Sequence, residues 1–131
     1  MEALTEAKRL ELDQVTEKII GLAFKIMNTL GTGFLEKVYE NALAYELRKE
    51  GLQADQQVGI KVMYETIEVG EYFADILVNK AVLVELKVVK ELEDIHKAQC
   101  VNYLKATGFS VCLLINFGKP KVEVKRIVHN F

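Results

Sequence analysis

Two carboxylates and an ammonium stand in stretches that otherwise read as core strand. Asp75 lies in Tyr72-Phe73-Ala74-Asp75-Ile76-Leu77-Val78, and Glu85 and Lys87 lie in Val82-Leu83-Val84-Glu85-Leu86-Lys87-Val88-Val89. Period-two alternation puts Val82, Val84, Leu86 and Val88 on one face and Leu83, Glu85, Lys87 and Val89 on the other. The same rule groups Tyr72, Ala74, Ile76 and Val78 opposite Phe73, Asp75 and Leu77. Register then decides whether the acids meet. A two-residue turn at Asn79-Lys80 pairs Val78 with Ala81 and sends Asp75 and Glu85 to opposite faces. A three-residue loop Asn79-Lys80-Ala81 pairs Val78 with Val82 and Asp75 with Glu85. The second register keeps both apolar sets on a shared face and is the one expected.

Facing carboxylates repel, and half-burial strips their hydration, so the pair calls for a cation. Oxygen ligands of this kind suit Mg²⁺ or Mn²⁺, which keep several waters and bind through one or two carboxylates plus a substrate phosphate. Lys87 follows Glu85 on the same face, where an ammonium can orient or deprotonate a water and stabilise charge on a phosphate. The bland alternative is a Glu85–Lys87 ion pair on a solvated edge strand, with Asp75 an ordinary strand-end acid. The aliphatic neighbours on every side argue against it, because unpaired charge in a core needs a reason.

The elements that must position these groups follow from periodicity. A helix spans about Asp13 to Leu30, with Asp13 as N-cap and Gly31 as stop, and residues 1–12 extend it or fray. A second runs from about Leu35 to Glu50 and ends at Gly51. Strands follow over 56–64, 67–69, Tyr72–Val78 and Val82–Val89. A helix from Glu93 or Asp94 to Thr107 is closed by Gly108, and strands Val111–Phe117 and Val122–Val128 finish the chain. A strand–helix–strand crossover favours a parallel pair, so the order implies an α/β sandwich around a mixed sheet flanked by helices.

With 131 residues, half of them apolar and 27% charged, the chain reads as one domain over 1–131 that needs neither a disulfide framework nor a structural metal. Cys100 and Cys112 lie far apart, which fits a reducing cytoplasm and excludes a CxxC site; both read as small core residues. No apolar run approaches a membrane span, and Met1–Glu6 is polar, so neither membrane insertion nor a signal peptide is expected. The net charge of −2 hides a gradient: residues 1–79 balance at −6 and residues 80–131 at +4. Lys87, Lys90, Lys97, Lys105, Lys119, Lys121, Lys125 and Arg126 gather in the second part, where a polyanion could be received, although scattered lysines often form only a solvated surface.

Asp75, nine intervening residues and then Glu85-Leu86-Lys87 resembles the signature of the PD-(D/E)xK nuclease superfamily. Gln99-Cys100-Val101-Asn102-Tyr103 resembles the QxxxY motif of its RecB-type branch. Gly33-Phe34-Leu35-Glu36-Lys37-Val38-Tyr39 resembles the motif of the small GxxExxY proteins. The superfamily's Pro is absent, since Phe73-Ala74 precedes Asp75. Met27 stands where relatives of the GxxExxY type carry a histidine, so no acid–base role is assigned to the first helix.

The resemblance implies a restriction-endonuclease-like sandwich and a nuclease that hydrolyses DNA with Mg²⁺ or Mn²⁺. Asp75 and Glu85 would be metal ligands, joined by the Leu86 carbonyl and by Glu36, directly or through water. Lys87 would activate the water, with Glu36 and Gln99 in support. Gln99 and Tyr103 share a helical face with His96, so Gln99 could hold a phosphate or the Lys87 amine, and Tyr103 could stack on a base or sit in the core with its hydroxyl at the rim. Lys90 and Lys97 are the expected substrate contacts. His96 reads as a surface or satisfied residue. The competing expectation is a catalytically silent module of this fold that binds or assembles with a protein or nucleic-acid partner; a homodimer is a further expected arrangement.

Overall fold

The computed structural model describes residues 4–131. Helix α1, Glu6–Leu30, begins earlier than Asp13 because Thr5 caps it: its hydroxyl accepts the Lys8 amide at 3.2 Å. Residues 6–12 therefore extend the helix, burying Leu12, and residues 1–3 lie outside the described residues. Asp13 is not a cap; its carboxylate bonds Arg126 at 2.6 Å and ties the helix to the last strand. At the other end Gly31, at φ 72°, returns its amide to Met27.

Tyr39 fastens the turn into helix α2, Glu36–Lys49. Its hydroxyl donates to the Gly31 carbonyl at 2.6 Å and accepts the Phe34 amide at 3.3 Å. Its buried ring stacks on Phe117 with centroids 4.7 Å apart. The position of Glu36, at the first turn of α2, is fixed by that anchor.

Five strands follow: β1 Ala54–Tyr64, β2 Ile67–Val78, β3 Val82–Lys87, β4 Val111–Asn116 and β5 Glu123–Val128, with α3, Asp94–Thr107, between β3 and β4. They form one sheet in the order β1-β2-β3-β4-β5, with β3 and β4 parallel and every other pair antiparallel. β2 is continuous where two segments were expected, because Gly70 and Glu71 pair with Val62 and Lys61. α1 and α2 cover the face carrying Val82, Val84, Leu86, Val111, Leu113 and Ile115. α3 covers the opposite face, against Leu83, Cys112 and Leu114.

Strict alternation fails beside Asp75, and the β1–β2 ladder also shifts register between Val62 and Met63. Ile76 and Val78 pack towards α1 and α2, yet Ala74 packs with the α3 cluster beside Leu77. On β1, Ala54 belongs to the first cluster and Ile60 to the second. Between them Gln57 takes φ 53°, and the ladder passes from Gln56↔Ile76 to Val58↔Ala74 with Gln57 and Asp75 unpaired. A left-handed residue opposite an unpaired one rolls the ribbon over by one position, so Tyr72 and Ala74 do not share a face with Ile76 and Val78 as expected. Among the described residues no helix is long and apolar enough to cross a membrane.

Two glycines should answer substitution with opposite signs. A Cβ at Gly118 would collide with the Val89 backbone, so Gly118→Ala is expected to lower stability by roughly 1–3 kcal/mol or more. Gly21 lies within α1 with open space around it, so Gly21→Ala should raise stability by about 0.5–1 kcal/mol. Urea unfolding of the two variants beside the parent chain reads both.

Candidate active site

The expected register holds: Val78 pairs with Val82 around residues 79–81, where Asn79 and Lys80 adopt φ 51° and 52° and the Ala81 amide returns to Val78 at 3.0 Å. The β2–β3 ladder then stops at Ile76↔Val84, one step short of Asp75 and Glu85. There side chains replace the ladder. The Asp75 amide donates to Glu85 Oε1 at 3.2 Å, and the Leu86 amide donates to Asp75 Oδ2 at 2.8 Å. β3 stays in register with β4 through Lys87↔Asn116, so the strands part between β2 and β3 with the two acids at the opening.

Glu85 is only 5% exposed. Burial first, and the Asp75 charge second, push its carboxyl up to about 8, so near neutral pH it keeps a proton in the metal-free protein. The donor set fits a hard divalent cation: two facing oxygen groups, one held protonated by burial and then by the other's charge, are what a cation would relieve. Among the described residues no three His, Cys, Asp or Glu side chains converge into a cage of their own.

On β3, Lys87 is half-buried and its ammonium acts electrostatically on Glu85 and Glu36. Its main chain is clamped from β4. The Phe117 amide donates to the Lys87 carbonyl at 2.8 Å, while the buried Asn116 amide group both accepts from and donates to Val89 at 3.0 Å. This clamp ends β3 at Lys87, short of the expected Val89.

Helix α3 supplies the opposite wall. Gln99 donates to the Tyr103 hydroxyl at 2.9 Å, which donates to Glu85 Oε2 at 3.4 Å. Burial and then Glu85 push the Tyr103 phenol up, so it remains a donor. His96 is satisfied: its Nδ1 accepts the Glu93 amide at 2.9 Å and closes the capping box of α3. A cavity of about 510 Å³ joins Lys87, Gln99, Tyr103 and Tyr72. Buried Cys100 and Cys112 pack nearby, and their mutual hydrogen bond, then burial, pushes the Cys112 thiol well up.

Two residues missed in the sequence complete the frame. Glu40, four positions after Glu36 on α2, is 3% exposed and accepts from Lys37 at 2.9 Å, Gln56 at 2.6 Å and Gln57 at 2.8 Å. Gln57 also donates to Asp75 Oδ1 at 3.2 Å, so the residue that breaks the ladder bridges two carboxylates. The (i, i+4) spacing from Glu36 was the available signal for Glu40; the backbone of Gln57 left none. Glu36 stands at the solvent edge, its carboxyl raised by partial burial and then by Asp75. Asp75, Glu85, Lys87, Gln99 and Tyr103 are thus brought together, Glu36 approaches from α2, and Leu86 meets Asp75 through its amide. Lys90 is exposed on the β3–α3 loop and Lys97 pairs with Asp94 at 3.8 Å; neither lines the cavity.

The family model of the PD-(D/E)XK nuclease superfamily matches residues 13–127. Among solved structures, the chain is similar to an alkaline exonuclease from Laribacter hongkongensis at 14% identity, covering 87% of this chain and 69% of that one, with a TM-score of 0.46. No curated protein matches the chain.

Because Glu85 in the fold titrates near 8, against about 4.5 for an ordinary glutamate, its contribution to stability is complete below pH 4.5 and is lost as pH rises towards 8. Glu85→Gln removes that loss. Thermal melts in chelator should show the variant close to the parent at pH 4.5 and increasingly more stable between pH 6 and 9; a variant that melts lower at every pH makes Glu85 structural instead.

Proposed function

This chain belongs to the PD-(D/E)XK nuclease superfamily, and from that membership we propose that it hydrolyses phosphodiester bonds of DNA with Mg²⁺ or Mn²⁺. The observation that carries the reading is the Asp75–Glu85 pair at the parting of β2 and β3, with Lys87 on the same wall. Asp75 and Glu85 would hold the ion, with the Leu86 carbonyl and Glu36 completing its protein ligands. When bound, the ion acidifies water and offsets charge on the phosphate.

The remaining work falls to side chains. Lys87 orients the attacking water and stabilises the negative charge that grows on the phosphoryl oxygens. Gln99, steadied by Tyr103, presents an amide to a phosphate oxygen. Tyr103 in turn orients the Glu85 carboxyl, and the Gln57–Glu40 pair holds Asp75 from behind.

Purified protein on linear and circular, single- and double-stranded DNA with Mg²⁺ or Mn²⁺ should give cleavage resolved on a gel. Asp75→Asn, Glu85→Gln and Lys87→Ala should each lower the rate by at least about 10²-fold. Absence of cleavage together with absence of Mn²⁺ binding identifies a silent assembly module instead. Because Glu85 must lose its proton to bind an ion, Mn²⁺ affinity measured by calorimetry should rise about tenfold per pH unit up to pH 8, with one proton released, and level off above it.

A further inference from the structure

A second cavity of about 430 Å³ adjoins the first, and the two share Tyr72 and Asn102. Together they form one trough along the outer side of α3, walled opposite by the ribbon of β1 and β2. From Ile95 to Ala106 it follows roughly 16 Å of helix. Lys87 stands at one end, and Lys61 and Lys105 stand at the other. Neither lining contains an Asp or Glu, although the first part of the chain, which supplies Lys61, is strongly acidic. Lys61 pairs with Glu68 at 3.6 Å and stands across the strand pair from Glu71.

Between the two lysine ends Tyr72 is 49% exposed and leans on Tyr103, with centroids 5.9 Å apart and planes tilted 47°. An exposed ring braced by a buried one offers a flat apolar face that is already oriented. Such a face takes an unpaired base, whereas a duplex keeps its base faces stacked inside and presents only edges and phosphates.

We propose that this trough binds single-stranded DNA, with Tyr72 as the base-stacking platform and Lys61 and Lys105 as phosphate contacts that lead the strand to Lys87. The proposal rests on the nuclease reading for what happens at Lys87, and adds that the strand entering the site is unpaired. A positive lining, amide donors from Asn102 and a stacking ring are the chemistry that sequence-tolerant single-strand binding uses. Rolling of the ribbon at Gln57 and Asp75 is what carries Tyr72 over to α3.

The test reads binding without cleavage: fluorescence anisotropy of the full chain in EDTA with a labelled oligo(dT) and with a blunt duplex of equal length. The single strand should bind at least about tenfold tighter than the duplex. Tyr72→Ala should weaken it by roughly 5- to 150-fold, the effect of one lost base stack, while Tyr72→Phe retains most of the affinity. Replacing Lys61 and Lys105 together with Ala should reduce the log–log salt slope by about 1.4, at roughly 0.7 per contact. Equal or tighter duplex binding overturns the proposal, as does an affinity that ignores Tyr72→Ala. Should Tyr72→Ala melt below the assay temperature, the lysine pair decides: an unchanged salt slope overturns it. Failure of the gel assay with these binding results intact would remove the catalytic reading and leave the trough; cleavage with indifferent variants would do the reverse.

Discussion

Asp75 and Glu85 face each other where an ordinary ladder would have been more favourable, and the surrounding structure is arranged to hold them there. Repulsion between two charges a few ångströms apart, with little water to screen them, amounts to several kcal/mol at an effective dielectric of about 20. The metal-free fold relieves it by leaving a proton on Glu85 and by giving each carboxylate a backbone amide across the gap. Those amides are free only because the strand pair ends at Ile76↔Val84. Loss of pairing and gain of a binding-ready acid pair are one event.

Ending a ladder inside a sheet requires a device, and Gln57 is it. A non-glycine residue at φ 53° costs on the order of 1–3 kcal/mol and persists only where its surroundings determine it. Here the Gln57 amide is fixed by Glu40 at 2.8 Å and Asp75 at 3.2 Å. Glu40 is in turn held by Lys37 and Gln56, so its buried oxygens have donors from both α2 and β1. The same irregularity turns the outer ribbon onto α3. A single strained residue thus orients Asp75, opens the sheet and shapes the far wall of the cleft.

What could be read in advance separates along this line. The Val78↔Val82 register was legible because the one-residue slip to Val78↔Ala81 would have put Val82, Val84 and Leu86 on the wrong face, and one buried face is a strong constraint. The parallel β3–β4 pair was legible from its crossover helix. Ala74 was misplaced because alternation presumes an unbroken ladder, and nothing in Gln56-Gln57-Val58 announces a left-handed residue. The cap of α1 was misjudged for a smaller reason, although its extension before Asp13 was left open: Asp13 and Thr5 are both good caps, and the burial of Leu12 decides between them. Tyr39, noticed as part of a motif, turns out to pin the turn that precedes Glu36.

Charge shows most clearly why position along the chain is a poor guide to position in space. The sequence divides into an acidic part and a basic part, but the fold does not keep them apart. Glu36, Glu40 and Asp75 come from the acidic part and gather with Glu85 on the side of the opening reached from α2. Lys61 leaves that part to stand with Lys105 beside α3, because β1 pairs with β2 and β2 is rolled onto that helix. Lys90 and Lys97, chosen for their place in the basic part, fall outside the lining. Acids therefore gather at the parting of β2 and β3, and Lys61 and Lys105 beside α3. Register and one strained residue make that separation, and a sum of charges over half the chain cannot.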